Sequence, residues 1–153
     1  MKTYQLEEIL KRNIPAETLF LGVFAIDHLP TSLDLCDLNQ WVLVCNCCPA
    51  SQIGQHWIAI FYQHGSVEFF DSFALPPEMY NGRLINFLHH TSSAREVVYS
   101  NEPLQAIDSN ACGQYTILFC IARSRGDTFQ GIIDEMVTWT RDSLVKLIVN
   151  VFL

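Results

Sequence analysis

The chain has 153 residues, of which 50% are hydrophobic and 16% are charged, and its formal net charge at pH 7 is -7. This length suits a single domain over residues 1–153, and the composition excludes an intrinsically disordered chain. The acidic balance disfavours a nucleic-acid-binding surface, because such surfaces neutralise phosphates with Lys and Arg. No apolar stretch has membrane-spanning length, and the segment Met1–Glu8 is unlike a signal peptide. We therefore expect an intracellular soluble protein with reduced cysteines and no membrane partner.

The spacing of apolar residues in the first half of the chain predicts one helix followed by strands. Residues 4–12 carry apolar side chains at helical spacing, with charged residues between them. Apolar and β-branched runs predict strands at Trp41–Cys45, Trp57–Tyr62 and Ser66–Phe70, the last two joined by a turn at His64-Gly65. These strands would form the core of an antiparallel sheet.

The second half of the chain is predicted to be mostly helical. Residues Arg83 to His90 have apolar positions that suit a helix over the sheet, and Val97–Tyr99 is typical of one more strand. After a polar loop, the run from Ala111 to Ala122 predicts a strongly hydrophobic helix. Apolar positions between residues 132 and 149 predict one or two further helices. The predicted fold class is α+β, with a central, mostly antiparallel sheet packed against helices.

One cysteine lies where the sequence predicts the start of a helix. The segment Asp108–Gly113 is polar and turn-forming, and the hydrophobic helix follows it directly. A helix start lowers the pKa of a thiol through its unpaired amides and its partial positive charge. Cys112 is therefore our candidate for a catalytic nucleophile.

Three further residues complete the predicted constellation. His56 lies where a polar loop enters a strand, a position that fixes an imidazole while leaving it exposed to a cleft. Asp71 ends the adjacent antiparallel strand, so it can reach the other imidazole nitrogen. The side-chain amide of Gln105, seven residues before Cys112, could donate to the oxyanion of an acyl-transfer intermediate.

Other residues could in principle carry chemistry. Cys45 and Cys48 have the Cys-x-x-Cys spacing of half a zinc site, but a second pair is missing, so buried strand cysteines are the favoured interpretation. Cys120 lies inside the hydrophobic helix and is interpreted as a core residue. Asp108 could serve as the acid in place of Asp71, but its position suits capping of the loop better. We expect no metal site and no required cofactor.

The ordered set of motifs resembles the adenovirus protease (adenain) family of cysteine peptidases, which is related to the SUMO-deconjugating proteases. The residues that carry the resemblance are, in chain order, Phe20–Phe24, Asp27, Leu29-Pro30, His56-Trp57, Asp71, Gln105 and, most specific, Ser109–Gly113. The resemblance implies an adenain-like fold with the nucleophile at a helix N-terminus. It also implies that Cys112, His56, Asp71 and Gln105 are the nucleophile, base, acid and oxyanion donor.

The same resemblance implies a biological setting. Adenain-like enzymes are endopeptidases that cut viral precursor or capsid proteins during particle maturation, in the host nucleus or the virion. Protein substrates encoded by a virus or a related mobile element, and a monomeric enzyme, are therefore expected.

The sequence departs from the adenain pattern at three points. The acid is Asp71 rather than Glu, as in the SUMO-deconjugating branch. The stretch Arg95–Val98 lacks the cysteine that binds adenain's activating peptide, and the acidic chain is poorly suited to the DNA cofactor. Beyond Ala122 no match is found.

These departures leave other functions open. Asp71 favours a protease that removes ubiquitin-like modifiers, which is our alternative within thiol hydrolysis. A non-catalytic interaction module that retained the fold is a further alternative, and an acyltransferase could use the same residues.

Overall fold

The computed structural model describes residues 1–31, 35, 37–52, 56–92, 96–139 and 142–152, and its elements run from one helix through a group of strands to a mainly helical second half. The α-helices in these ranges are α1 (Thr3–Asn13), α2 (Gly82–Thr91), α3 (Cys112–Ser124), α4 (Phe129–Val137) and α5 (Asp142–Asn150). The strands are β1 (Leu19–Ala25), β2 (Gln40–Asn46), β3 (Trp57–Gln63), β4 (Ser66–Phe70) and β5 (Val97–Tyr99). A short 3-10 helix, Pro77–Met79, precedes α2. None of the helices in the described ranges is long and apolar enough to cross a membrane.

The strands form one sheet in which spatial order follows chain order, β1-β2-β3-β4-β5. The central strands β2, β3 and β4 pair antiparallel, whereas β1 pairs parallel to β2 and β5 pairs parallel to β4. A two-residue turn joins β3 to β4, with positive φ at both His64 and Gly65. Positive φ at both positions matches the twist of the flanking strands, which fixes the register of this hairpin.

Helices cover both faces of the sheet. Alternation along β2 sends Val42 and Val44 toward the core shared with α1, α3, α4 and α5, and Trp41 and Leu43 toward the core under α2. All four side chains are fully buried. The predicted α+β fold class is therefore confirmed.

Helix α3 runs through the larger core, which explains its hydrophobic sequence. Ten of its residues are buried, because sheet residues and the other helices of this core surround it. The N-terminal half of the helix is also tied to the sheet, since the hydroxyl of Thr116 donates to the carbonyl of Trp57 at 3.2 Å. The start of α3 is thereby fixed against the start of β3.

The structure differs from the predicted elements mainly at the first strand. The apolar run Leu19–Ala25 was not predicted as a strand, and its pairing with β2 shifts register between Phe20 and Gly22. Gly22 has φ +130°, a conformation that favours glycine. The bulge interrupts the strict alternation by which strands are recognised. The predicted further helices after α3 are two, α4 and α5.

An ion pair between α3 and β4 is buried and should contribute to stability. Arg123 bonds both carboxylate oxygens of Glu68, with its Nε 2.7 Å and its Nη2 2.9 Å away, and its guanidinium lies over the ring of Phe61. Arg123→Leu should lower the free energy of unfolding by about 3 kcal/mol, because it leaves the Glu68 charge buried without a partner.

Urea denaturation measures this loss. The matched control is Arg12→Leu, since Arg12 pairs with Glu8 on the exposed face of α1 and such pairs contribute less than about 1 kcal/mol. Equal losses in the two variants would contradict a special role for the buried pair.

Candidate active site

The antiparallel pairing of β3 and β4 brings His56 and Asp71 together. His56 directly precedes β3 and Asp71 directly follows β4, so both side chains emerge at the same end of the hairpin. The Nε2 atom of His56 lies 2.7 Å from Oδ1 of Asp71, and the two side chains are 14% and 1% exposed. Phe73 stacks at a tilt against the imidazole, with ring centroids 5.0 Å apart.

The Asp71 carboxylate is held by donors on both oxygens. Besides His56, the backbone N–H of Phe73 donates to Oδ1 at 2.9 Å, and the hydroxyl of Tyr80 donates to Oδ2 at 2.6 Å. Burying a carboxylate away from water is costly unless its oxygens accept hydrogen bonds of this kind. These contacts fix the plane of the carboxylate and aim Oδ1 at the imidazole.

Cys112 is the first residue of α3 and lies in reach of His56. Burial raises the pKa of its thiol, since the residue is only 7% exposed, but several donors outweigh this effect. They are the His56 ring and the backbone N–H groups of Trp57 and Gly113, and they hold the thiol pKa below its ordinary value. A thiolate at the start of a helix is the nucleophilic form of cysteine.

The His56 ring connects the acid to the thiol. Burial alone lowers the pKa of His56, but its hydrogen bond to Asp71 and its interaction with the Cys112 thiol raise it to about 9. Since Nε2 is taken by Asp71, the nitrogen left for the thiol is the buried Nδ1, which makes no other hydrogen bond within the described residues. The opposite pKa shifts of His56 and Cys112 favour a thiolate–imidazolium pair near neutral pH.

Gln105 lies in the loop that leads to Cys112, and its side-chain amide is held at both ends. The amide oxygen accepts from the hydroxyl of Ser72 at 2.6 Å, and Nε2 donates to the carbonyl of Ser109 at 2.9 Å. The Ser109 hydroxyl in turn accepts from the N–H of Ala111, next to the nucleophile. The residue is 6% exposed, so its amide is preorganised close to the start of α3.

The structure thus places His56, Asp71 and Cys112 next to one another, and it holds Gln105 in the loop that leads to Cys112. Asp108, the competing acid, is exposed on the turn before Cys112, and Ser109 supplies the hydrogen bond that caps this turn. Two contributing residues, Tyr80 and Ser72, were missed by the sequence analysis. Neither lies in a motif, because their contacts depend on how the loops after β4 and before α3 meet.

The cysteines outside this constellation are in other environments. Cys45 and Cys120 are fully buried, and burial raises the pKa of Cys45 to about 12. Burial also raises the pKa of Cys47, whose side chain contacts the Tyr80 hydroxyl. Among the described residues no group of three His, Cys, Asp or Glu side chains could hold a metal ion. The sixth cysteine, Cys36, lies outside the described residues.

The ring of Trp57 lies beside Gly113, the residue that follows Cys112. A side-chain Cβ at Gly113 would lie 3.3 Å from the Trp57 ring and 3.4 Å from the Met1 side chain, so this position has little room for any other residue. Trp57 also lines a cavity of about 330 Å³ together with Asn46 and the end of β1. The space beside Gly113, next to Cys112, is therefore filled by Trp57 and Met1.

Comparison with known proteins finds similarity of structure only. No protein-family model matches the sequence, and no curated protein matches it. Solved structures do match. The ASFV pS273R protease has a TM-score of 0.66 and 17% identity, covering 89% of this chain and 63% of that protein. The chain therefore covers less than two thirds of the ASFV protease.

Two further structures match over nearly the whole chain. The central domain of the Lpg1148 protein from Legionella pneumophila has a TM-score of 0.61 and 11% identity, covering 98% of this chain and 93% of that one. SUMO protease Ulp1, solved with its catalytic cysteine oxidised to a sulfinic acid, has a TM-score of 0.55 and 13% identity, covering 99% and 78%. The chain has the mixed α+β fold of the Ulp1-like proteases.

Proposed function

We propose that this chain is a cysteine endopeptidase, a single protease domain that uses Cys112, His56 and Asp71 with Gln105 as oxyanion donor. The observation that carries the proposal is the buried hydrogen bond between His56 and Asp71, which faces a thiol of lowered pKa at a helix start. The fold, shared with a viral protease and a SUMO protease, supports the same reaction class.

The proposed reaction begins at the scissile carbonyl. The Cys112 thiolate attacks the carbonyl carbon, and the carbonyl π electrons move to the oxygen. Gln105 Nε2 and the backbone N–H of Cys112, which a helix start leaves without a partner inside the helix, donate to this oxyanion. The intermediate collapses to a thioester as the imidazolium of His56 gives its proton to the leaving amine.

Hydrolysis of the thioester then regenerates the enzyme. The neutral His56 takes a proton from water, the hydroxide attacks the thioester carbon, and the carboxylic acid product leaves as the thiolate re-forms. Asp71 keeps one tautomer and one ring orientation of His56 through both steps, because its Oδ1 accepts from Nε2. No step requires a metal or an organic cofactor.

The substrates we propose are proteins cut during particle maturation, that is, viral or mobile-element precursor and capsid proteins. The adenain-like motif Ser109–Gly113 and the likeness to the ASFV pS273R protease support this assignment. Location in the host nucleus or the virion would follow from it, as would a monomeric enzyme. The net charge of -7 argues against DNA as a cofactor.

Incubation with a diverse peptide library tests the proposal. Wild-type protein should produce new peptide termini that mass spectrometry detects, whereas Cys112→Ala should produce none, because it removes the thiol whose pKa His56 holds below its ordinary value. The matched control Cys120→Ala removes a buried thiol of the same helix and should keep activity. Cleavage by Cys112→Ala would overturn the assignment.

A second candidate function is removal of ubiquitin-like modifiers. Two observations favour it: the acid is Asp71, as in the SUMO-deconjugating branch, and the fold is that of SUMO protease Ulp1. A SUMO or ubiquitin probe with a C-terminal electrophile should then label Cys112 in wild-type protein and not in His56→Ala. Absence of labelling, together with cleavage of library peptides, would leave the endopeptidase as the better description.

A further inference from the structure

The Asp71 carboxylate has one partner that the protease constellation does not include. Its side chain is 1% exposed, so each oxygen must find its donors within the protein. Oδ1 accepts from His56 and from the backbone N–H of Phe73, but the only hydrogen bond to Oδ2 within the described residues comes from the hydroxyl of Tyr80, 2.6 Å away. Tyr80 therefore satisfies one half of a buried anion.

Tyr80 is itself held in place from several directions. It follows the short 3-10 helix, where its backbone N–H donates to the carbonyl of Pro77, and its ring packs edge-on against Phe69 in β4. The Cys47 thiol contacts the same hydroxyl. Burial and the neighbouring Asp71 raise the pKa of the phenol, so the hydroxyl keeps its proton and remains a donor.

We propose that Tyr80 is a positioning residue of the active site, which fixes Asp71 so that its Oδ1 orients the His56 imidazole toward Cys112. The inference rests on the proposed function. Without the hydroxyl, Oδ2 would be buried with no donor, and the carboxylate would rotate to find one. This rotation releases the imidazole and reduces the thiolate at Cys112.

The state of the Cys112 thiol can be measured without knowing the substrate. Iodoacetamide alkylates a thiolate and releases iodide, so its rate at Cys112, followed by peptide mass spectrometry, reports the thiolate–imidazolium pair. Tyr80→Phe keeps the ring that packs on Phe69 and removes only the hydroxyl. Tyr99→Phe, an exposed position in β5, is the control for loss of a hydroxyl, and thermal unfolding of each variant checks the fold.

A double-mutant cycle separates positioning from a general structural effect. Tyr80→Phe should slow alkylation of Cys112 about tenfold near pH 6, because the carboxylate no longer holds the imidazole toward the thiol. In the Asp71→Asn background the same change should have no further effect, because Tyr80 acts through the carboxylate. Three titratable groups face Asp71: His56, Tyr80 and Cys47. Cys47→Ala should change the alkylation rate of Cys112 less than twofold, which would attribute the effect to the Tyr80 hydroxyl and not to the neighbouring thiol.

The outcomes distinguish this proposal from the protease assignment. An equal loss in the wild-type and Asp71→Asn backgrounds, or an unchanged rate in Tyr80→Phe, would overturn the role of Tyr80 and leave the protease intact. Non-additive loss without cleavage of any peptide would support Tyr80 and count against the protease. A purely structural effect of Tyr80→Phe would lower the melting temperature and slow alkylation by the same factor in both backgrounds, and that result would also overturn the proposal.

Discussion

Replacing His56 with alanine is expected to slow alkylation of Cys112 by iodoacetamide about 100-fold near pH 6. An ordinary thiol has a pKa of about 8.5, so only about 0.3% of it is ionised at this pH. In the wild-type protein the imidazolium of His56 holds the thiol pKa below its ordinary value, so we expect a larger thiolate fraction at this pH. Removal of the ring returns Cys112 to the behaviour of an isolated, mostly buried thiol.

The effect of His56→Ala on the alkylation rate should also depend on pH, and the direction of this dependence is a separate test. The pKa of His56 is raised to about 9, so the imidazolium is present below that pH and is lost above it. The difference between wild-type protein and His56→Ala should therefore be largest in weakly acidic solution and should shrink as the pH rises through about 9. The rates are measured at a series of pH values, with the alkylated cysteine identified by mass spectrometry.

The matched control replaces a histidine outside the site. His90 is exposed in α2, so His90→Ala should alkylate at the wild-type rate. Cys45 should remain slow in every variant, because burial raises its pKa to about 12. Uniform alkylation of several cysteines in the wild-type protein would show that the pair does not form in the isolated chain.

The sequence was sufficient to predict the contact between His56 and Asp71, because it depends on local structure. Both residues lie at ends of one β-hairpin, whose strands follow each other and are joined by a two-residue turn. Antiparallel register then dictates that the two side chains are neighbours. The start of α3 was predictable for the same reason, since a polar turn changes abruptly to an apolar run at Cys112.

The outer strands and the supporting residues were not predictable in this way. The strands β1 and β2 pair parallel, so no short hairpin turn in the sequence marks their pairing. The bulge near Gly22 also breaks the alternation of buried and exposed residues in β1. The hydrogen bonds from Tyr80 to Asp71 and from Ser72 to Gln105 require two loops to return to the site. Such contacts follow from the packing of the whole fold and leave no periodic trace in the sequence.

Replacing Gln105 with alanine is expected to slow acylation of Cys112 by p-nitrophenyl acetate about 100-fold, while alkylation by iodoacetamide changes less than about threefold. Acylation passes through a tetrahedral intermediate with a full oxyanion, whereas alkylation displaces iodide at a saturated carbon and forms none. An oxyanion donor therefore affects one reaction and not the other. Release of p-nitrophenol and mass spectrometry of the alkylated peptide measure the two rates in the same preparation.

The structure offers a variant that separates the donor role from an anchoring role. The amide oxygen of Gln105 accepts from Ser72, and its Nε2 donates to the carbonyl of Ser109. Gln105→Glu keeps an acceptor for Ser72 but replaces the donating nitrogen with oxygen and adds negative charge. If Gln105 serves the oxyanion, Gln105→Glu should acylate no faster than Gln105→Ala.

The opposite order of the two acylation rates would give Gln105 an anchoring role in place of the oxyanion-donor role. Faster acylation in Gln105→Glu than in Gln105→Ala would mean that the bond to Ser72, and with it the position of the loop before α3, is what the reaction needs. Ser72→Ala supplies the matched test, since it removes that bond and leaves the amide nitrogen in place. A small effect of Ser72→Ala beside a large effect of Gln105→Ala would place the donor of the oxyanion on Gln105 itself.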